Sequence, residues 1–382
     1  MRAAPRVLHL IETGGPGGAE RVLTSLSLAL GATGEFRSAV GLLKDGWVAQ
    51  ELRRSGETPV LFQLRRPLDP ALLWALVRHL RQAQVDLVHA HEFTMNVYGG
   101  VAAALAGVPA VGTVHGRGYY ADAGRRIAAL KLAARLGLVL VAVSSDIQHF
   151  LADTIGLAGV RLIPNGIDVE RPASGDRARG RAALGLAPAT PVIGAIGNLY
   201  PVKGHAILLR AVANLSVPAH IVIAGRGEEE EALRREAAAL GLGDRLHLLG
   251  FRDDVPDLLA AFDIYALPSF SEGQSLALIE AMAAGRPIVA TAVGGNPELL
   301  DAGAPTGLLV PPGEPAALAA ALGGLLADPA AAERLGAAAR ARARAEFSLA
   351  VMLGRYRALY AERLAARRGR RLPAAGGPGG ES

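Results

Sequence analysis

The chain has no cysteine, which excludes disulfides, thiolate zinc sites, iron–sulfur clusters and thiol nucleophiles. Aromatic residues make up only 4%, too few for the base-stacking platforms of single-strand nucleic-acid binders. The longest apolar run, 136–143, falls far short of the ~20 residues that cross a bilayer, and the first five residues lack the apolar core of a secretory leader. A cytoplasmic protein, at most peripheral to the membrane, is the expectation. What is present is 382 residues, 51% hydrophobic and 20% charged. That is a well-buried globular chain of about two domains. The net charge of +5 comes from dispersed arginines. Such an excess suits phosphorylated substrates or an anionic membrane surface rather than nucleic acid.

The richest stretch is 269–291, SFSEGQSLALIEAMAAGRPIVAT. A polar loop from Ser271 to Ser275 runs into good helix formers from Leu276, and Gly285 and Pro287 end them. A glycine-containing loop ahead of a helix offers free backbone N–H groups to an anion. Glu272 and Glu280 flank it. Carboxylates repel phosphate, so they suit the hydroxyls of a sugar or ribose, and together the features suggest a nucleotide-sugar. Counted along a helix, Glu280 lies ~12 Å from Glu272, too far for the acid/base pair of a hydrolase.

Elsewhere the sequence alternates short apolar runs with amphipathic segments. The run 7–11 leads into a loop bearing Gly14, Gly15, Gly17 and Gly18, then Glu20, then a helix. This opens a doubly wound α/β domain, although the glycine frame is not that of a dinucleotide fingerprint. Further strands are expected at 38–43, 60–63, 86–91, 110–115 and 138–143. The fifth of these six delivers His115 to its C-terminal edge, where ligands of open α/β sheets gather. His89 and His91 lack the spacing or carboxylate partner of a metal site and are read as structural. A helix at 125–135 carries Arg125, Arg126, Lys131 and Arg135 beside an apolar stripe. It is either an ordinary solvated face or a seat for anionic lipid.

Asn165-Gly166 forces a turn, and the polar Pro/Ser/Gly segment after it reads as a domain boundary with a hinge. The alternation then restarts. Strand 191–197 is followed by Lys203 just ahead of a helix, where a cation adds to the positive dipole end. The expected organisation is one domain over 1–168, a linker over 169–190 and a second domain over 191–346. A helix over 347–366 packs back toward the first domain, and a disordered basic, then Gly/Pro-rich tail covers 367–382.

With these residues in hand, the chain resembles the retaining glycosyltransferases of family 4, which have the GT-B fold. Glu272-Gly273 and Glu280 to Pro287 resemble that family's E-x7-E motif, and Gly17-Gly18-Ala19-Glu20 its acceptor-side loop. Val114-His115-Gly116, Pro164 to Asp168, 197–204 and 249–254 resemble its remaining motifs. The resemblance implies two facing Rossmann-like domains around a cleft. It implies transfer of a sugar from a nucleoside-diphosphate donor, UDP- or GDP-type, to a hydroxyl of a lipid-linked or glycan acceptor. Glu272 and His115 would serve the chemistry. Lys203, Asn198 and the amides of Gly273, Gln274, Ser275 and Leu276 would hold the diphosphate. Glu280 would bind ribose, and Gly250, Phe251, Arg252 and Arg226 would lie on the nucleobase side. Asn198 stands where many members carry arginine, so Arg226 or Arg252 is a candidate for the missing charge. No Asp-x-Asp pair occurs, in keeping with a mechanism that uses neither metal nor cofactor, and a monomer or weak homodimer is expected. A nucleotide-sugar epimerase and a non-catalytic regulatory subunit remain the alternatives.

Overall fold

In the computed structural model the described residues are 4–118, 124–301 and 303–371. They divide into two compact units: 1–143 with 147–163 and the chain from Met352, and 144–146 with 164–351.

The first unit holds seven strands: β1 (Arg6–Ile11), β2 (Arg37–Leu42), β3 (Val60–Leu61), β4 (Leu87–His91), β5 (Ala110–Val114), β6 (Leu138–Ala142) and β7 (Arg161–Leu162). All pair in parallel, in the order β3-β2-β1-β4-β5-β6-β7. The second unit has β8 (Val192–Ile196), β9 (His220–Ala224), β10 (Leu246–Leu248), β11 (Ile264–Leu267), β12 (Ile288–Thr291) and β13 (Leu308–Val310). Its sheet, also parallel, runs β10-β9-β8-β11-β12-β13. Parallel strands need helical crossovers that cover both faces, so the inner strands are short, largely apolar runs without alternation. β4, β5, β11 and β12 are accordingly buried at every residue. In each sheet the order reverses once, between β1 and β4 and between β8 and β11. At such switch points a crevice opens beyond the strand ends.

Two expectations differ from the structure. The segment 169–190 is not a free linker. Its helices Glu170–Ala173 and Arg177–Ala183 belong to the second unit and pack on helix Val255–Ala261. Arg179 pairs with Asp257 at 2.5 Å and the buried Arg181 with Asp263 at 2.7 Å. A side chain at Gly180 would sit 2.1 Å from the Asp257 carbonyl oxygen, so only glycine lets the two backbones touch. Gly180→Ala is expected to destabilise the second unit by about 1–3 kcal/mol, read as a lowered thermal midpoint. The second difference is at the C-terminus, where one helix runs from Leu349 to Arg371. It includes the first basic residues of the expected tail; residues 372–382 lie outside the described residues.

From Met352 that helix belongs to the first unit. Met352, Tyr356, Leu359, Tyr360 and Leu364 are buried on it, and Arg357 and Arg363 bond to Glu35 and the Gly137 carbonyl. Among the described residues no single helix is long and apolar enough to cross a membrane.

Candidate active site

The switch point of the second sheet gathers most of the residues expected to hold a donor. Beyond β8 the chain passes Asn198, makes one tight turn over Pro201–Lys203 and enters helix His205–Ala213 through Gly204. Gly204 has φ +65°, and a side chain there would strike the Pro268 carbonyl oxygen at 2.2 Å. Left-handed backbone and close approach both require glycine. Lys203 is thereby placed beside the loop that leaves β11. Its Nζ lies 2.7 Å from Glu272 Oε1, and the same carboxylate accepts the Ser269 hydroxyl at 2.7 Å. The Glu272 side chain is 7% exposed and that of Lys203 24%. Two residues expected to serve diphosphate and sugar separately therefore hold each other.

Helix Leu276–Ala283 follows, with the Ser275 hydroxyl accepting from the Leu278 amide at 3.3 Å. Among the described residues, the amides of Gly273, Gln274, Ser275 and Leu276 donate to no carbonyl or side chain. Four unclaimed N–H groups at a helix start form an anion cradle. The Gln274 side chain is used differently: its Oε1 accepts the Asn165 amide at 2.5 Å. Glu280 sits half-buried on the helix. Because the helix begins only at Leu276, helix rise does not set the Glu272–Glu280 separation. Tyr265, fully buried beneath both, has its hydroxyl pKa raised by burial and by the two carboxylates.

The nucleobase-side residues also converge. Gly225 bridges to Gly250, and the Arg226 guanidinium lies 5.9 Å from the Phe251 ring. The Leu199 amide donates to the Arg226 carbonyl at 2.9 Å, tying this loop to that of Asn198. Arg252 is not a spare cation, since its Nε reaches Asp254 Oδ1 at 2.7 Å. Gly294 and Gly295 were missed by sequence reasoning. A side chain at Gly294 would lie 1.8 Å from the Glu272 carbonyl oxygen, and the Gly295 amide donates to the Gly273 carbonyl at 3.0 Å. This pair braces the Glu272 loop, and the Gly-Gly-Asn-Pro run just past a strand was its signal.

In the first unit the Gly14–Gly18 loop leaves β1 at the other switch point. Glu20 folds back over the start of its own helix, with a carboxylate oxygen 2.5 Å from where a Gly17 side chain would begin. That is the reach of a capping glutamate. Glu92 enters from β4 with φ +64°, a left-handed conformation rare outside glycine. Its Oε2 is buried without a partner. Burial, with Glu20 and Glu12 nearby, pushes its carboxyl up to about 8. The folded protein thus keeps a proton on Glu92 that the unfolded chain releases above the ordinary range near 4.5. Its contribution to stability falls by about 1.4 kcal/mol per pH unit between those values. Glu92→Gln is expected to raise the thermal midpoint, by more at pH 8.5 than at pH 5.

His115 follows β5, and its Nε2 lies 3.0 Å from His91 Nδ1. Beneath it, His9, His89 and His91 are fully buried, with one ligand atom from each within 4.8 Å of the others. His89 has both nitrogens engaged, Nδ1 with the Tyr360 hydroxyl at 2.6 Å and Nε2 with Thr113 at 2.8 Å. Thr113 in turn meets the Tyr356 hydroxyl at 2.9 Å. His9 has neither nitrogen bonded. Burial lowers all four imidazoles, His9 and His115 to about 3, so they are neutral at physiological pH. Thus His115 and the glycine loop stand in one unit, and Lys203, Glu272, Glu280 and Arg226 in the other.

Two family models match, glycosyltransferase family 4 over residues 16–171 and glycosyl transferases group 1 over 190–328. A D-inositol 3-phosphate glycosyltransferase of Streptomyces griseus is 33% identical over 321 residues, 72% of this chain and 68% of the relative. An Escherichia coli UDP-Gal:alpha-D-GlcNAc-diphosphoundecaprenol alpha-1,3-galactosyltransferase is 30% identical over 60% of this chain. The chain spans 63% of that enzyme's length and 64% of the length of another inositol-phosphate relative. Among solved structures, Anabaena HepE in complex with UDP superposes with a TM-score of 0.84 at 27% identity, covering 94% of this chain and 100% of that one. The two parallel sheets of seven and six strands with their helices match those of GT-B glycosyltransferases, and the chain belongs to glycosyltransferase family 4.

Proposed function

We propose that the protein is a retaining glycosyltransferase that moves a sugar from a UDP-sugar to a hydroxyl of a lipid-linked or glycan acceptor. The observation that carries this reading is the Lys203–Glu272 pair beside four unclaimed amides at the switch point of the second sheet. The amides and Lys203 take the charge of the leaving diphosphate. Glu272 and Glu280 take hydroxyls of the donor sugar and the ribose, and His115 is the first unit's candidate for the chemistry at the sugar. Uridine is favoured over guanosine because HepE has been solved with UDP and with UDP-glucose.

The acceptor presents hydroxyls rather than phosphate to the first unit. Glu12 and Glu20 stand beside the protonated Glu92 at the β1–β4 switch point, where a phosphorylated cyclitol would meet the like charge of the first two. That argues against the inositol-phosphate substrates named for several relatives. It leaves room for a neutral saccharide end, as in the lipid-linked substrate named for the E. coli relative.

A panel of UDP- and GDP-sugars tests the reading. Slow release of UDP from one or a few donors, abolished in Glu272→Ala, supports it. Binding without release across donors and neutral acceptors rejects it.

Helix Gly124–Arg135 supplies the membrane contact in this reading. It exposes Arg125 and Arg135, and Leu132 and the following Leu136 are 52% and 47% exposed. Binding to anionic vesicles that falls with salt, and falls further in Arg125→Glu/Arg135→Glu, is expected in flotation. Equal recovery with neutral vesicles speaks against it.

A further inference from the structure

We propose that His91 is the positioning residue for His115, fixing the orientation of that imidazole through a direct ring-to-ring hydrogen bond. The proposal rests on the reading that His115 works at the donor sugar. His91 and His115 face each other across adjacent strands, Nδ1 to Nε2 at 3.0 Å, with ring planes 16° apart. One of these nitrogens must carry the proton and the other must be bare, so the bond ties the two rings together and their tautomers to each other. The bond uses Nε2 of His115, and among the described residues nothing bonds its Nδ1. The ring thus presents one defined nitrogen.

His91 is itself held. It is fully buried, and its ring lies 4.2 Å from that of His89, centroid to centroid. His89 can neither flip nor swing, because Tyr360 and Thr113 take its two nitrogens and Tyr356 takes Thr113. Both tyrosines come from the final helix. Orientation therefore passes from residues 356 and 360 through His89 and His91 to His115, a group some 240 positions earlier in the chain. The same arrangement argues against a metal among His9, His89 and His91, since an ion would have to strip His89 of one of two short bonds.

Two substitutions separate positioning from mere packing. His91→Phe keeps a ring but loses the Nδ1 bond. His91→Asn places an amide where Nδ1 was and restores a partner for His115. With the UDP-sugar that gives the fastest UDP release, His91→Phe should lower kcat by roughly 10–100-fold, the scale of a misplaced reacting group. KM and the UDP-induced thermal shift, which report the second unit, should stay near their original values. His91→Asn should recover most of the rate.

Full activity in His91→Phe, with His115→Ala inactive, would overturn the proposal and leave the role of His115 standing. Equal loss in the Phe and Asn variants would overturn it too, showing packing alone. Full activity in His115→Ala would remove the underlying reading as well. A stoichiometric first-row metal in untagged protein, lost in His9→Gln, would make His91 a ligand instead and equally overturn the proposal.

Discussion

Replacing Glu272 with alanine should tighten the binding of UDP while collapsing turnover. Lys203 is neutralised by Glu272 at 2.7 Å. A diphosphate that recruits the lysine must break that contact, and the cost is subtracted from affinity. Without the carboxylate the ammonium is free to meet the anion, and the repulsion between carboxylate and phosphate is gone. A several-fold fall in Kd for UDP, on the order of 1 kcal/mol, is expected from one charge-assisted hydrogen bond no longer competed for. Turnover should drop by about 10²–10³-fold, as when one preorganised contact at the reacting centre is removed. Lys203→Ala should do the reverse in binding, weakening UDP by roughly 10–100-fold. Calorimetry with UDP alone separates these outcomes from catalysis. Weaker UDP binding in Glu272→Ala would show that the carboxylate supports the nucleotide rather than restraining the lysine. UDP should also raise the thermal midpoint further in that variant than in the parent, since ligand stabilisation grows as Kd falls.

The second large effect is acid lability of the first unit. His9, His89, His91 and His115 are held neutral by burial, far below their usual 6.5. Below pH 6.5 the unfolded chain binds protons at these positions and the native one does not, so stability falls as pH falls. Each histidine contributes about 1.4 kcal/mol per pH unit. With four acting together, a single unit of acidification below 6.5 removes about 4 kcal/mol, comparable to the whole stability of a small domain. Near-ultraviolet circular dichroism should report the loss of Tyr356 and Tyr360 packing near pH 5. UDP binding by the second unit, which has one deeply buried histidine, His205, and two partly buried ones, His220 and His247, should persist to lower pH. His9→Leu should move the acid midpoint downward and raise stability at neutral pH. It removes one titrating ring and two unsatisfied buried nitrogens, and apolar replacement of unpaired polar groups is neutral or stabilising. A midpoint unchanged in His9→Leu would refute the assignment.

Both sheets were legible in the sequence because a parallel strand covered on two faces is a short apolar run, and such runs recur between turn residues along the chain. The donor loop was legible for a similar reason: Gly273, Ser275 and the helix after them are neighbours in the chain. Residues 169–190 misled because Pro172, Ser174 and Gly175 have the composition of a linker. Here the small residues serve close approach to helix Val255–Ala261, and composition alone does not distinguish the two uses. The histidine cluster was invisible for another reason. His9, His89, His115, Tyr356 and Tyr360 lie up to 350 positions apart, and only the strand order β1-β4-β5 with the returning helix brings them together. Lys203 and Glu272 were each singled out, but their pairing depends on the crossover from β8 to β11.

The returning helix also bears on how the protein is made. The first 163 residues leave the ribosome as an incomplete unit. About 190 residues of the second unit must then be synthesised before Met352 and the two tyrosines emerge, roughly 10–40 s at ordinary elongation rates. During that interval the surface that will bury Tyr356, Leu359 and Tyr360 is open, with His89 lacking its phenol and Phe36 its edge contact. The nascent first unit therefore waits with that surface open, while the second unit, almost wholly contained in 164–351, is the first to complete its core.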